Sequence, residues 1–271
     1  MIEYPEARAL ARQLAAELGG STICGASAAH TPHKFAWYSG DPALYPERLC
    51  GLEVTGARAQ GGYALLELGD IALSFNDGAV PRLYAPGDKL PARPQLRLDF
   101  ADGRVLAATV RMYGGFLLID PGFDNEYYRA ACEGPDPLSE AFTYERFAAL
   151  AQATPPSRSV KALLATEQRL PGVGNGVLQD ICCHAALNPR RRLDSLDRAE
   201  LRRLYDALRG VLRAMTEAGG RDTCDDLHGA PGGYRTLLNK SAVICPRCGG
   251  PILREAFMGG NIYYCADCQP R

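Results

Sequence analysis

The chain lacks any long apolar run. Its uncharged apolar stretches, such as GGFLLI from Gly114 to Ile119, fall far short of the roughly 20 residues a membrane span needs. The opening MIEYPEARALARQLAAELGG mixes charge with apolar residues, which excludes an export signal and makes the cytoplasm the expected compartment. An excess of charge is missing too. Thirty Lys and Arg against 31 Asp and Glu give a net charge of −1, which excludes a chain that coats nucleic acid indiscriminately. Internal repeats and low-complexity segments are absent, so no solenoid is expected. What remains is 271 residues, 46% hydrophobic and 23% charged, the proportions of a soluble globular chain long enough for two domains. Ten cysteines in a chain without an export signal are expected to be reduced, and clusters of them read as metal ligands.

The near-neutral total hides a local bias. Between residues 157 and 213 there are eleven Lys or Arg against six acids, enough for a phosphate-facing surface, although solvated helix faces would look the same.

A first helix is expected after Glu3: Pro5 suits its first turn, Leu10, Leu14 and Leu18 recur at i+4, and Gly19-Gly20 ends it. From about Leu52 to Ile119 short alternating stretches are separated by turns, the clearest hairpin being QLRLDF and VLAATV around Asp102-Gly103. Pro121-Gly122 and EGPDP, Glu133 to Pro137, read as linker, and helical spacing then continues to about Gly219. The expected division is a β-rich domain over 1–122, a linker over 123–137, a helical domain over 138–225 and a cysteine-bearing segment over 226–271.

Cys245-Pro-Arg-Cys248 and Cys265-Ala-Asp-Cys268 flank sixteen residues, a spacing that suits one zinc ion. Each pair aims two sulfurs from one tight turn, and the hairpin between them returns the second pair to complete a tetrahedron. Four thiolates leave no open position, so such a zinc holds structure and does not activate water. A redox role for the pairs is the competing reading. The other six cysteines share no ligand spacing. Further upstream, one helical pattern stops at Pro171-Gly172 and another starts at Asn175, which is placed as an N-cap. Glycines 172, 174 and 176 allow close backbone approach, and a free helix N-terminus there would suit a DNA phosphate; a plain turn would look alike.

Taken together, these pieces resemble the formamidopyrimidine-DNA glycosylase and endonuclease VIII family of DNA repair enzymes over nearly the whole chain. The resemblance is carried by Lys161, Gln168, the Gly172-Val173-Gly174-Asn175 turn, Asn188-Pro189 and the four-cysteine finger ending in Cys268-Gln269. It implies an α+β fold: an N-terminal β-sandwich with flanking helices, a helical domain with a helix-two-turn-helix, and a four-cysteine zinc-finger hairpin. It also implies a monomer that grips damaged double-stranded DNA in a cleft between the domains and flips a base out of the stack, with structural zinc and no small-molecule cofactor. Lys161, Gly174 and Asn175 would then contact the DNA backbone, and Arg111 and Tyr113 would lie where the flipped base leaves a gap.

The chain departs from that family at its reaction centre. Ile2 stands where the family has the proline whose amine is the nucleophile, and a residue that large should leave Met1 in place. Gly61-Gly62-Tyr63 lacks the family's strand lysine, and Gly259-Gly260-Asn261 lacks the arginine at the hairpin tip. Glu3 alone survives. Glycosidic cleavage needs a proton donor and a nucleophile at C1′. The α-amine of Met1, with an ordinary pKa of about 8, could form a Schiff base but is displaced by one residue. Water activated by Glu3 is simpler and gives base removal without strand cleavage. A carboxylate placed for a helix dipole is the bland alternative for Glu3. His33 and Lys34, in the aromatic-rich stretch from His30 to Tyr38, are further candidates. Three function classes follow: a lesion-specific DNA glycosylase with weak or absent lyase activity, a catalytically inactive reader of damaged or distorted DNA, and a zinc-stabilised RNA-binding module. A scaffold shaped for a flexed, flipped duplex disfavours RNA.

Overall fold

The computed structural model describes residues 1–271. Helix α1 (Tyr4–Leu18) begins one residue after Glu3, whose backbone N–H donates to Glu6 Oε2 at 3.0 Å, and stops at Gly19. Its apolar residues serve two cores. Leu10, Leu14 and Leu18 enter the core of the β-rich domain, whereas Tyr4 enters the core of the helical domain. A fully buried leucine of this kind contributes roughly 1.5–3 kcal/mol.

The β-rich domain contains strands β1 (Ile23–Ala28), β2 (Ala36–Tyr38), β3 (Gly56–Gln60), β4 (Tyr63–Leu68), β5 (Ile71–Tyr84), β6 (Leu96–Phe100), β7 (Val105–Phe116) and β8 (Leu118–Ile119), with a short helix α2 (Tyr45–Leu49) after β2. They form one eight-stranded sheet, with β1-β6-β7-β5-β4-β3 in order, β2 beside β7 and β8 beside β5. All pairings are antiparallel except that of β2 with β7. The expected sandwich is therefore a single sheet curled on itself, continuous through β5. That strand pairs with β4 up to Asn76 and with β7 from there to Tyr84, with a bulge between Asp77 and Ala79. At the bulge β5 and β7 approach so closely that a Cβ on Gly78 would lie 1.9 Å from the Arg111 carbonyl oxygen; only glycine fits. The hairpin expected around Asp102-Gly103 is β6–β7, with Leu98 opposite Leu106.

The stretch 123–137 departs from the linker reading. It carries helix α3 (Glu126–Glu133), capped by Asn125, whose Oδ1 accepts from the Tyr127 and Tyr128 N–H groups at 3.0 Å. Helices α4 (Tyr144–Ala153), α5 (Val160–Ala165), α6 (Asn175–Ala185) and α7 (Arg198–Glu217) then pack around Phe147, Leu164, Ile181 and Leu208. After α7 the chain returns to the first domain. Leu227 is buried in the β-rich core, its carbonyl accepts from Leu83 N at 2.9 Å, and Arg82 pairs with Asp225. The boundary expected at 225/226 therefore falls inside a segment that clamps both domains. The tail ends in the hairpin β9 (Leu253–Phe257) and β10 (Gly260–Tyr264).

Asn188-Pro189 and Cys268-Gln269 meet each other. Asn188 Nδ2 donates to the Gln269 carbonyl at 3.1 Å, and Gln269 Nε2 donates to the Leu187 carbonyl at 3.0 Å. Buried Asp180 on α6 accepts from the Leu237 and Leu238 N–H groups, both at 2.9 Å, which fixes the tail to the same helix.

Candidate reaction centre and nucleic-acid interface

Glu3 lies at the junction of the two domains, only 5% exposed. Its Oε1 accepts from Gly176 N at 2.8 Å and its Oε2 from Val177 N at 2.9 Å. It therefore caps α6, a helix about 170 residues away in sequence. This corrects the expectation that Asn175 is the cap: Gly174 is the N-cap residue and Asn175 is the first residue of the helix. It also corrects the free helix N-terminus expected there, because a protein carboxylate already takes the N–H groups and dipole offered to an anion.

Arg221, from the segment after α7, is inserted beside Glu3 and Glu6. Its Nε and Nη2 donate to Glu6 Oε1 and Oε2 at 2.9 and 2.8 Å, and its Nη1 lies 3.5 Å from Glu3 Oε1. Its Nη2 also donates to the Met1 carbonyl at 3.1 Å. Burial by itself would raise the Glu6 pKa, but the charge and hydrogen bonds of Arg221 pull it below the ordinary carboxylate value. The Met1 amine lies 3.7 Å from Cys224 Sγ, and Ile2 N donates to the Asp77 carbonyl at 2.5 Å, so the N-terminus is laid along the β5 bulge.

The two glycine turns touch. A Cβ on Gly172 would stand 2.6 Å from the Gly61 carbonyl carbon, and one on Gly62 would stand 3.3 Å from Gly172 Cα. Tyr4 N donates to the Gly172 carbonyl at 2.8 Å. The position without a lysine is thus a backbone contact between the domains.

Lys161 is 2% exposed and joins α5 to the hairpin. Its Nζ donates to Asn175 Oδ1 at 2.8 Å and to the Phe257 carbonyl at 2.7 Å, and burial lowers its pKa. Asn175 Nδ2 in turn donates to the Asn261 carbonyl at 2.9 Å, and Gln179 Oε1 accepts from Tyr263 N at 3.0 Å. Gly260 lies directly on this network, since its Cβ would be 3.4 Å from Asn175 Nδ2. Beside it, a cleft of about 260 Å³ is lined by Asn175, Gly176, Gln179, Arg221 and Tyr263.

Arg111 and Tyr113 lie on β7 within the bulge, where residues 111–113 face Gly78 of β5. Arg111 Nη2 is 2.7 Å from Asp225 Oδ2, and the Tyr113 and Trp37 rings are 5.6 Å apart. Between them Met112, at φ +67°, is 73% exposed. The His30–Tyr38 stretch reaches this edge through the β2–β7 pairing. His33 accepts from Phe35 N and Lys34 is placed over the Phe35 ring, so neither is hydrogen-bonded to any group around Glu3.

The sulfurs of Cys245, Cys248, Cys265 and Cys268 all lie within 4.8 Å of one another. The Cys245–Cys268 and Cys248–Cys265 separations are 3.9 and 3.5 Å, whereas a tetrahedron with Zn–S bonds of about 2.3 Å requires edges of about 3.8 Å. The donor set fits zinc and leaves no fifth ligand or open face.

Sequence comparison extends these observations over the full length. The chain is 30% identical over 278 residues to a formamidopyrimidine-DNA glycosylase of Symbiobacterium thermophilum, covering 100% of this chain and 90% of that protein. The chain belongs to the formamidopyrimidine-DNA glycosylase family. The family's Thermus thermophilus member is 37% identical over 143 residues, a match that spans 53% of that protein's length. No family model matches. Among solved structures, the MutM (Fpg) protein of Thermus thermophilus superposes with a TM-score of 0.81 at 26% identity, covering 98% of both chains. The Lactococcus lactis Fpg, solved with DNA containing an abasic site, shares the fold with a TM-score of 0.85 at 22% identity, covering 99% of this chain and 100% of that one. No helix is long and apolar enough to cross a membrane.

Proposed function

We propose that the protein is a DNA repair glycosylase that binds damaged duplex DNA as a monomer, flips out a modified base and hydrolyses its N-glycosidic bond, with weak or absent strand cleavage. The observation that carries this reading is the full-length likeness to glycosylases combined with Glu3 fixed at the domain junction. A carboxylate held there stabilises the positive charge that develops on the sugar as the C1′–N bond lengthens. The cleft beside α6, bounded by Arg221 and Tyr263, is the space available to an extrahelical base.

Lys161 and Asn175 hold a phosphate in this reading. Each has one N–H left after its protein contacts, and Gly174 beside them lets the Glu3 carboxyl lie against the backbone, since a Cβ there would stand 2.6 Å from Glu3 Cδ. Arg111 and Tyr113, at the exposed turn of β7, enter the gap left by the base. A structural zinc held by Cys245, Cys248, Cys265 and Cys268 fixes the hairpin that positions Asn261 and Phe257 against that phosphate site. Strand cleavage requires an amine that traps the opened sugar. Ile2, Gly62 and Gly260 stand where the family has its proline amine, strand lysine and hairpin arginine, leaving the Met1 amine at the junction and Lys240 on the wall of the cleft, with His33 and Lys34 outside the Glu3 cluster.

One observation favours a second reading, a non-catalytic reader of damaged DNA: both Glu3 oxygens are engaged by backbone N–H groups. The two are separated by incubating the protein with duplexes that carry a panel of lesions and assaying free base. Release supports the glycosylase; tight, lesion-selective binding with no release supports the reader.

A further inference from the structure

The β5 bulge carries a carboxylate that the proposed chemistry has not used. Asp77 adopts φ +56°, a left-handed conformation that aspartate tolerates better than most residues. Its Oδ2 accepts from Asn76 Nδ2 at 2.8 Å, and the buried Ser74 hydroxyl donates to Asn76 Oδ1 at 3.2 Å, which turns the amide's N–H side toward Asp77. Asp77 Oδ1 has no hydrogen bond within the protein and is not sealed from solvent. No other carboxylate at this junction is so disposed. Glu3 is shared between two backbone N–H groups, Glu6 is filled by Arg221 and the Glu3 N–H, and Asp225 is paired with Arg82 and Arg111.

We infer that Asp77 is the general base of base excision, taking the proton of the attacking water through its free Oδ1 while Glu3 stays a fixed charge; this rests on the glycosylase reading above. As the water oxygen bonds to C1′, its proton passes to Asp77. The electron pair of the breaking C1′–N bond leaves with the base, which takes up a proton at that nitrogen, and Asp77 then returns its own to solvent. The sum is the addition of one water across the glycosidic bond.

The groups that face Asp77 suit this role. They are the Met1 ammonium, the Tyr63 phenol from β4 and the Tyr113 phenol from β7, the last also facing Glu3. Burial raises the Asp77 pKa above the ordinary aspartate value, against the opposing pull of Asn76 and the Met1 ammonium. A base so placed controls the acidic limb of the rate profile, at a pH above the usual aspartate range.

The test compares Asp77→Asn and Glu3→Gln by pH–rate profile and duplex affinity. Asparagine keeps the size and tolerates the positive φ. Asp77→Asn is expected to lower base release by about 10²–10⁴-fold and abolish the acidic limb while leaving affinity unchanged. Glu3→Gln is expected to lower the rate while keeping the limb. Asp77→Gly, which suits the same φ, should recover part of the lost rate on adding formate. Base release with an unaltered rate and profile in Asp77→Asn, or a loss in Asp77→Gly that formate does not restore, overturns the assignment alone. A wild-type protein that binds lesion duplexes and releases nothing overturns the glycosylase reading and this assignment with it.

Discussion

Arg221 and Glu6 form a two-pronged pair, Nε to Oε1 at 2.9 Å and Nη2 to Oε2 at 2.8 Å, with both side chains 5% exposed. The pair joins the segment after α7 to α1, so it fastens the two domains where Glu3 enters α6. Removing one partner of a buried pair strands the other charge, which typically costs about 3–5 kcal/mol.

Arg221→Met is therefore expected to lose about 3–5 kcal/mol of stability at neutral pH, measured by urea denaturation. The deficit should shrink in acid. Glu6 has its pKa lowered in the folded state, so its contribution is full above the unfolded glutamate value and is lost as pH falls through the folded value. A deficit that stays constant between neutral pH and strong acid would show that Arg221 acts by packing alone.

One equivalent of zinc per chain is expected after purification without chelator, and Cys245→Ser should lose most of it. Because the hairpin supplies the Phe257 and Asn261 carbonyls to Lys161 and Asn175, chelation should also weaken duplex binding. Metal analysis giving less than half an equivalent, or full metal content in the variant, would remove zinc from the account.

Duplex affinity should fall steeply as salt is raised from low to physiological concentration, and the Lys161→Ala, Asn175→Ala double variant should bind all sequences more weakly and with a shallower salt slope. An affinity insensitive to salt, or unchanged in the double variant, would move the docking surface elsewhere.

Local patterns made much of the fold legible. The i+4 leucines and glycine stop of α1, the Asp102-Gly103 turn and the CxxC pairs are each decided by neighbours within a few residues. The Glu3 cap of α6 was not legible, because a glycine turn looks alike whether its helix is capped by asparagine or by a carboxylate from another domain. Nor did the sequence reveal that Gly61-Gly62 lies on Gly172, or that Asp77 sits on a bulge; both are long-range backbone approaches. EGPDP, at the C-terminal end of α3, carries a loop composition that masks the Asn125 cap from which the helix starts.

Borohydride added during reaction with lesion-bearing duplex should trap little covalent complex. The amines near the Glu3 junction are that of Met1, which donates to Cys224 Sγ, and that of Lys240 on the wall of the cleft, and neither is the secondary amine the family uses. Abundant trapping, with the adduct mapped to Met1 or Lys34, would replace hydrolysis by an amine mechanism.

Mass spectrometry of the free bases and of the strands left after incubation with a lesion panel is the most direct test of the proposed activity. The account predicts at least one modified base released from a strand that remains intact until treated with alkali. Tight binding of the same duplexes with no base released would contradict it.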